Sequence, residues 1–181
     1  MSEITDRVNL AVSGFDARVQ AAPADSWGNQ SPCVEWKARD VVAHVANFHL
    51  NLAGAITDTP PVLVADDEDI IAAWERAKTA LSGAMETGDL TKNVPGPFGP
   101  MPAADVLGRL VTTDTLVHTW DLARAVGGDE SLDPALVEGA HSGLKPMDAM
   151  IRQPGIFDAK IEPSADADAQ TQFLCFLGRK V

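Results

Sequence analysis

Asp114 and His118 are an acid and an imidazole that lie four residues apart in the sequence. Their types and spacing make them the best candidates in this chain for catalysis or metal binding. They lie within the apolar stretch 106–125, where helical periodicity places both side chains on one inward stripe. The stripe consists of positions 107, 111, 114, 118, 122 and 125. Because a carboxylate in a protein core is costly unless it is paired or binds a metal ion, the sequence predicts a compensating partner for Asp114.

A second imidazole, His44, lies between Val41 and Phe48 on the inward face of an earlier predicted helix. Inward positions of different helices meet in the core of a bundle, so His44 can reach Asp114 and His118. Two imidazoles and one carboxylate suit zinc or non-haem iron, and three protein ligands leave coordination positions open, as in catalytic or substrate-binding sites. The alternative is a hydrogen-bonded Asp114–His118 pair beside an ordinary core histidine, and the spacing alone does not choose between the two.

Three further side chains flank the predicted site. Asp121, one turn beyond His118, either orients an imidazole through a hydrogen bond or is a solvated acid near the helix end. Trp36 and Trp120 lie near the candidate ligands in sequence and could line a pocket.

Other reactive side chains are expected to lie outside the site. His49 follows His44 by five residues, about 140° around the helix, which predicts a position at the rim or surface. His141 is isolated in the sequence and is also predicted at the surface. For Cys33, a buried small apolar side chain is favoured over a reactive thiol near a helix start.

Amphipathic segments and helix-ending residues predict an all-α protein with a four-helix bundle, formed by residues 1–181 as one domain. The elements are helices over 3–20, after Trp36, after the acidic residues 66–69, from Pro102 to Gly127 and over 134–145, then a weak strand over 157–161 and a closing helix over 167–177. The segment 96–102 is a turn-rich loop, and Pro146 predicts a break or kink.

Charge and composition exclude several classes of function. The formal net charge of −12 and a pI near 4.5 argue against a nucleic-acid-binding surface, which requires clustered Lys and Arg. The first residues are not those of a secretory signal, and no stretch reaches the roughly 20 apolar residues of a membrane span. We therefore expect a cytoplasmic protein with two reduced cysteines and no membrane partner.

Three ordered motifs resemble the actinobacterial metal-binding branch of the DinB-like superfamily, which is similar to the N-terminal domain of mycothiol-dependent maleylpyruvate isomerase. They are Ser-Pro-Cys-Val-Glu-Trp-Lys-Ala-Arg-Asp-Val-Val-Ala-His44, Asp114-Thr-Leu-Val-His-Thr-Trp-Asp-Leu-Ala-Arg-Ala125 and Phe173-Leu-Cys-Phe-Leu-Gly-Arg179. The resemblance implies an up-down-down-up four-helix bundle with short C-terminal elements. It also implies one divalent metal, zinc or alternatively nickel or iron, held by His44, Asp114 and His118.

By the same resemblance, the expected activity is that of a thiol-dependent transferase or isomerase, in which the metal activates a small thiol such as mycothiol for reaction with a small-molecule substrate. The alternatives are a non-catalytic metal- or ligand-binding bundle, and a metal-dependent hydrolase with Asp121 or His49 as proton carrier. The isomerase carries Glu where this chain has Asp114, and its C-terminal domain has no evident counterpart here. Lys37 stands where relatives often have a capping Thr or Ser, which predicts a less sharply fixed helix start. A homodimer is an open alternative to a monomer.

Overall fold

The structure, a computed structural model, describes residues 3–97, 99–152 and 157–181. These form two compact units, Met1–Glu130 and Ser131–Val181. The predicted all-α class, a helical bundle with short C-terminal elements, is confirmed. The prediction that the whole chain forms one domain stays a prediction.

The first unit contains four long helical segments. They are α1 (Glu3–Ala21), α2 (Ala38–Thr57), α3 (Ile70–Thr87) and a final segment made of α4 (Ala103–Asp105), a π-helical turn (Val106–Val111) and α5 (Thr112–Val126). α2 packs against both α3 and α5, and α1 packs against α5. Because α2 and α5 are neighbours, residues on their facing sides can form one site.

The start of each long helix follows from local hydrogen bonding. Asp69, the last residue of the acidic stretch, accepts the Ala72 N–H at 2.9 Å and so caps α3. Pro102, predicted as the first residue of the fourth helix, is instead the last residue of strand β2 (Met101–Pro102), which pairs antiparallel with β1 (Asn93–Val94). The helix therefore begins one residue later, at Ala103. Phe98, in the predicted loop 96–102, lies outside the described residues, as do Met1 and Ser2 of the predicted non-secretory N-terminus.

The core of the first unit is centred on aromatic and aliphatic side chains from all four segments. Trp74 is fully buried, and its ring meets that of Phe15 edge-on at a centroid distance of 4.8 Å. The indole N–H donates to Asp16 at 2.9 Å, which satisfies the polar atom of this large side chain. Trp74 thus fixes α3 against α1, on the side of α2 where His49 lies.

The π-helical turn interrupts the predicted fourth helix before the candidate ligands. The Thr112 N–H reaches back to the carbonyl oxygen of Leu107, five residues earlier, and the Thr112 hydroxyl donates to the same oxygen at 3.0 Å. A π turn is rare and often lies beside functional residues. Asp114 and His118 both lie after it, on the regular α5, so their predicted spacing is retained.

The second unit contains α6 (Pro134–Leu144), a 3₁₀ turn (Lys145–Met147), α7 (Asp148–Ile151) and α8 (Ala169–Phe176). The predicted break at Pro146 is confirmed by the 3₁₀ turn, and α8 lies within the predicted closing helix. The predicted strand over 157–161 is wrong. This segment has no partner strand among the described residues and makes a single backbone bond to α8, from Ile161 N–H to the Cys175 carbonyl at 2.9 Å.

No helix in the described part of the chain is both long enough and apolar enough to cross a membrane.

We expect Gly54→Ala to destabilise the first unit by about 1–3 kcal/mol, because the added methyl group cannot fit. A Cβ at Gly54 on α2 would lie 2.5 Å from the Thr59 carbonyl oxygen and 3.2 Å from Pro61 Cδ. The matched control is Gly14→Ala on α1, where a Cβ would meet nothing within 4 Å. The control should stabilise by up to about 1 kcal/mol, since Ala favours helix over Gly. Urea denaturation measures both, and equal effects of the two changes would contradict this packing.

Candidate metal centre

The loop of residues 29–37 leads to the candidate site, and its own hydrogen bonds fix its shape. The side-chain amide of Gln30 donates to backbone carbonyls of the loop at 2.9–3.2 Å, those of Ser31, Cys33, Val34 and Trp36. The Asn29 amide donates to the Ala125 carbonyl at 3.0 Å and ties the loop to α5. Cys33 and Trp36 are therefore held at defined positions beside α5.

α2, the helix that carries His44, has a well-fixed first turn. The ammonium group of Lys37, the N-cap residue, cannot accept a hydrogen bond from a backbone N–H, so other contacts fix this turn. The Asp40 carboxylate accepts the Lys37 backbone N–H at 2.8 Å. Two further bonds join the helix start to the loop before it, from Ala38 N–H to the Asn29 carbonyl at 2.9 Å and from Arg39 N–H to the Trp27 carbonyl at 3.1 Å. These contacts fix the start of α2 without a capping hydroxyl at position 37.

The three predicted ligands come together at the α2–α5 interface. Nε2 of His44 lies 3.2 Å from Oδ1 of Asp114, and Nε2 of His118 lies 3.6 Å from the same oxygen. One ligand atom from each residue lies within 4.8 Å of the other two. Ligand atoms bound at about 2.0–2.1 Å with tetrahedral angles are about 3.3–3.4 Å apart, so the two distances from Asp114 Oδ1 bracket the separation expected around a zinc ion. The donor set therefore fits a divalent ion.

The other ring nitrogen of His118 is bound to Asp121. Nδ1 lies 2.9 Å from Oδ2 of Asp121, whose side chain is fully buried. A carboxylate acceptor at this nitrogen holds the proton on Nδ1 and leaves Nε2 directed at Asp114, the tautomer that a metal-binding histidine needs. Sγ of Cys33 lies 3.4 Å from the same oxygen of Asp121.

Cys33 was predicted to be a buried apolar side chain, and the structure places it differently. It is partly exposed and forms a second group of potential ligands with His118 and Asp121, within 4.8 Å of one another. In the sequence, only the motif Ser-Pro-Cys-Val-Glu-Trp, which precedes the helix of His44, indicates that Cys33 belongs near the site.

Solvent reaches the three ligands from the side of His44. The side chain of His44 is 37% exposed, that of Asp114 is 23% exposed and that of His118 only 9%. The Trp36 ring forms a wall against both imidazoles, with ring centroids 4.6 Å from His44 and 5.6 Å from His118. An ion held here could therefore exchange ligands on its His44 side.

Trp120 does not share this arrangement. The side chain is fully buried, and the Arg124 guanidinium lies 4.5 Å from the centre of its ring. Trp120 is therefore a core side chain, whereas Trp36 is the tryptophan that contacts the imidazoles.

Two other histidines differ from their predictions. His49 is fully buried, not at the rim, because it packs against Trp74 at a ring-centroid distance of 5.4 Å and contacts the Thr115 hydroxyl with Nε2 at 3.0 Å. His141, predicted at the surface, is partly buried because its ring lies against those of Phe173 and Phe176, at 5.9 and 5.2 Å. Both errors arise from aromatic side chains on other helices.

The site is strongly charged when no metal is bound. Burial lowers the pKa of His118, but the charge of Asp114 and the hydrogen bonds to Asp121 and Cys33 outweigh burial and raise this pKa to about 10. Burial alone would raise the pKa of Asp114, but the charge of His118 and the hydrogen bond to His44 lower it overall. At neutral pH the metal-free site therefore contains an imidazolium beside a carboxylate, and a metal ion must displace the His118 proton.

The fold and the site thus define a helical bundle in which two histidines and one aspartate, all potential metal ligands, meet on two adjacent helices. Residues 8–123 match the family described as the mycothiol maleylpyruvate isomerase N-terminal domain, and the chain belongs to this family.

Two curated relatives are 32% identical to this chain over 177 residues, which is 94% of either chain. They are uncharacterized proteins MT0763 and Rv0738 from two strains of Mycobacterium tuberculosis. Among solved structures, the mycothiol-dependent maleylpyruvate isomerase is similar with a TM-score of 0.59 at 17% identity, and a mutant of it with one histidine replaced by alanine has a TM-score of 0.61 at 16% identity. Each comparison covers 84% of this chain and 70% of the isomerase. At this identity the likeness shows the fold.

The charge on His118 predicts how the stability of the metal-free protein depends on pH. Because the pKa is raised to about 10, above the value of about 6.5 in an unfolded chain, the stabilisation is complete below pH 6.5 and is lost as the pH rises toward 10. Between about pH 7 and pH 9.5, the melting temperature in chelator should fall by about 5 °C more for the parent than for His118→Gln. Parallel curves for the two proteins would show that His118 is not charged in the folded state.

Proposed function

We propose that this protein binds one divalent metal ion, preferably zinc, through His44, Asp114 and His118, and that it uses the ion to activate the thiol of a small cofactor for a transfer or isomerisation reaction. The observation that carries the proposal is the spacing of the three ligand atoms, with separations of 3.2 and 3.6 Å from Asp114 Oδ1 that match the edges of a tetrahedral site. The small substrate itself is not identified by these residues.

Three features of the chain suit the site to a reacting ligand. Within the described part of the chain, three potential ligands converge around Oδ1 of Asp114, and the partly exposed His44 leaves one side accessible. Asp121 holds the His118 ring in one orientation and in one tautomer, so that the ligand needs no rearrangement. Trp36 packs against both imidazoles and so supports the two rings.

A divalent ion at these residues would supply a Lewis acid that lowers the pKa of a coordinated thiol, whose thiolate is the nucleophile. Asp114 contributes the negative charge that partly neutralises the ion. His118, once its Nε2 proton has left, is a neutral ligand whose remaining proton stays on Nδ1, directed at Asp121.

The choice of mycothiol as the thiol follows from the family. The related isomerase is mycothiol-dependent by its title, and the family is described as the N-terminal domain of that enzyme. We propose the same thiol for this chain, in a cytoplasmic setting where both cysteines stay reduced. A homodimer remains part of the same proposal.

The hydrolase alternative has less support from the site. Its two candidate proton carriers, Asp121 and His49, are both fully buried and already contact His118 and Thr115. A general acid or base has to reach the reacting group directly or through one water. A non-catalytic metal-binding protein is the alternative that the thiol experiment below distinguishes.

Protein purified without an affinity tag should contain about one divalent ion per chain, measured by elemental analysis. His118→Ala should remove most of this metal, because it deletes one of three ligands and leaves Asp114 without its charged neighbour. The matched control is His141→Ala, which changes a histidine packed between phenylalanines and should leave the metal content unchanged. Equal metal content in the parent and in His118→Ala would place the ion elsewhere.

The cobalt-substituted protein should develop a thiolate-to-cobalt charge-transfer band when mycothiol is added, because the thiol enters the open coordination position. The titration is best done in the Cys33→Ser variant, so that the protein's own nearby thiol cannot produce the band. The same titration with the alcohol analogue of the thiol is the blank. If mycothiol and other small thiols all leave the spectrum unchanged while cobalt stays bound, the protein binds metal without thiol chemistry.

A further inference from the structure

Three enclosed side-chain polar atoms have no hydrogen-bond partner among the described residues, and they are Nδ1 of His49, Oδ2 of Asp114 and Nε1 of Trp120. The first two belong to residues on the two helices that carry the candidate ligands. Buried polar groups are almost always satisfied by protein or by ordered water, so each of these atoms requires an explanation. Asp114 uses its other oxygen, Oδ1, toward His44 and His118. Neither His49 nor Oδ2 of Asp114 has a role in the function proposed above.

His49 is held in one position by its surroundings. It is fully buried, its ring contacts Trp74, and its Nε2 lies 3.0 Å from the hydroxyl of Thr115. Burial lowers the pKa of His49 to about 4, so the ring is neutral at neutral pH and exactly one of its nitrogens carries a proton. If the Thr115 hydroxyl donates to Nε2, that proton is on Nδ1.

The unsatisfied atoms of His49 and Asp114 are complementary, and their residues lie near one another where α2 packs against α5. Nδ1 of His49 would be a donor, whereas Oδ2 of Asp114 can only accept. Thr115, which contacts His49, directly follows Asp114 on α5, and His49 and Asp114 interact electrostatically. Because no direct bond joins Nδ1 and Oδ2, a bridging water between them would satisfy both atoms.

We propose that His49 is a positioning residue of the metal centre, which donates from Nδ1 through one enclosed water to Oδ2 of Asp114 and so keeps Oδ1 directed at His44 and His118. This inference rests on the proposed metal site, and it assigns the site a residue on α2 that binds no metal itself. Loss of the donor would leave Oδ2 unsatisfied and would let the carboxylate rotate or bind through both oxygens. Loss of a hydrogen-bond partner of a metal ligand typically costs 10–100-fold in metal affinity.

Two substitutions separate the two nitrogens of His49. An Asn side chain places its amide nitrogen near the position of Nδ1, whereas a Gln side chain reaches the position of Nε2. We therefore expect His49→Asn to bind Zn²⁺ within about threefold of the parent, and His49→Gln to bind at least about tenfold more weakly, in competition with a chromophoric chelator. In the presence of a chelator, which removes the metal, the melting temperatures of the two variants should not rank in the same order as their Zn²⁺ affinities. The reason is that Gln, the weaker zinc binder, retains the contact with Thr115.

These outcomes distinguish a positioning role of His49 from a role in core packing alone. The proposal is overturned if His49→Gln keeps the parent affinity, or if Asn and Gln lose affinity to the same extent and in proportion to their loss of stability. In the first case the Nδ1 donor is unnecessary, and in the second His49 acts only as a core side chain.

A measurement on the parent protein covers the case in which neither variant folds. Nitrogen-15 spectra of the four histidines in the metal-free protein should show one ring that stays neutral near pH 7 and carries its single proton on Nδ1, in contrast to His118, which is protonated on both nitrogens at that pH. A proton on Nε2 of that ring overturns the proposal. If the parent binds no zinc, the proposed function fails, but these spectra still report where the His49 proton is.

Discussion

The site depends on one buried imidazole between two carboxylates. Nε2 of His118 faces Asp114 at 3.6 Å, and Nδ1 contacts Asp121 at 2.9 Å. Two acids in a largely apolar interior would repel each other and would be costly to bury alone. The imidazolium that forms when Nε2 is protonated reduces both penalties, because it places a positive charge between the two acids. A divalent ion, as proposed, would take the place of that proton.

Three other parts of the first unit position the residues around His118. α5 carries Asp114, His118 and Asp121 on consecutive turns of one regular helix, beyond the π turn. α2 adds His44, and the hydrogen-bonded loop of residues 29–37 brings Trp36 and Cys33 against the same ring. Asn29 joins this loop to α5 through a hydrogen bond to the Ala125 carbonyl, so Trp36 is held beside the helix that carries Asp114 and His118.

The parts of the site that are local in sequence could be predicted, and the parts that depend on other helices could not. The Asp114–His118 pair follows from a four-residue spacing on a single helix, and His44 follows once two inward stripes are assumed to face each other. The burial of His49 was missed because Trp74 on α3 covers it, which no pattern within α2 indicates. The π turn and the short strands were missed for the same reason, since they depend on how a loop closes onto a helix.

His118 and His49 show how far the environment determines the chemistry of one residue type. Both rings are buried within the same bundle and both are near Asp114, yet the pKa of His118 is raised to about 10 and that of His49 is lowered to about 4. The difference lies in what touches the rings, two carboxylates for His118 and an indole with a hydroxyl for His49. A neutral, immobile ring suits the orientation of a carboxylate, and a ring between charges suits exchange of a proton for a metal. The roles proposed for the two histidines at Asp114 thus correspond to two rings of different charge at neutral pH.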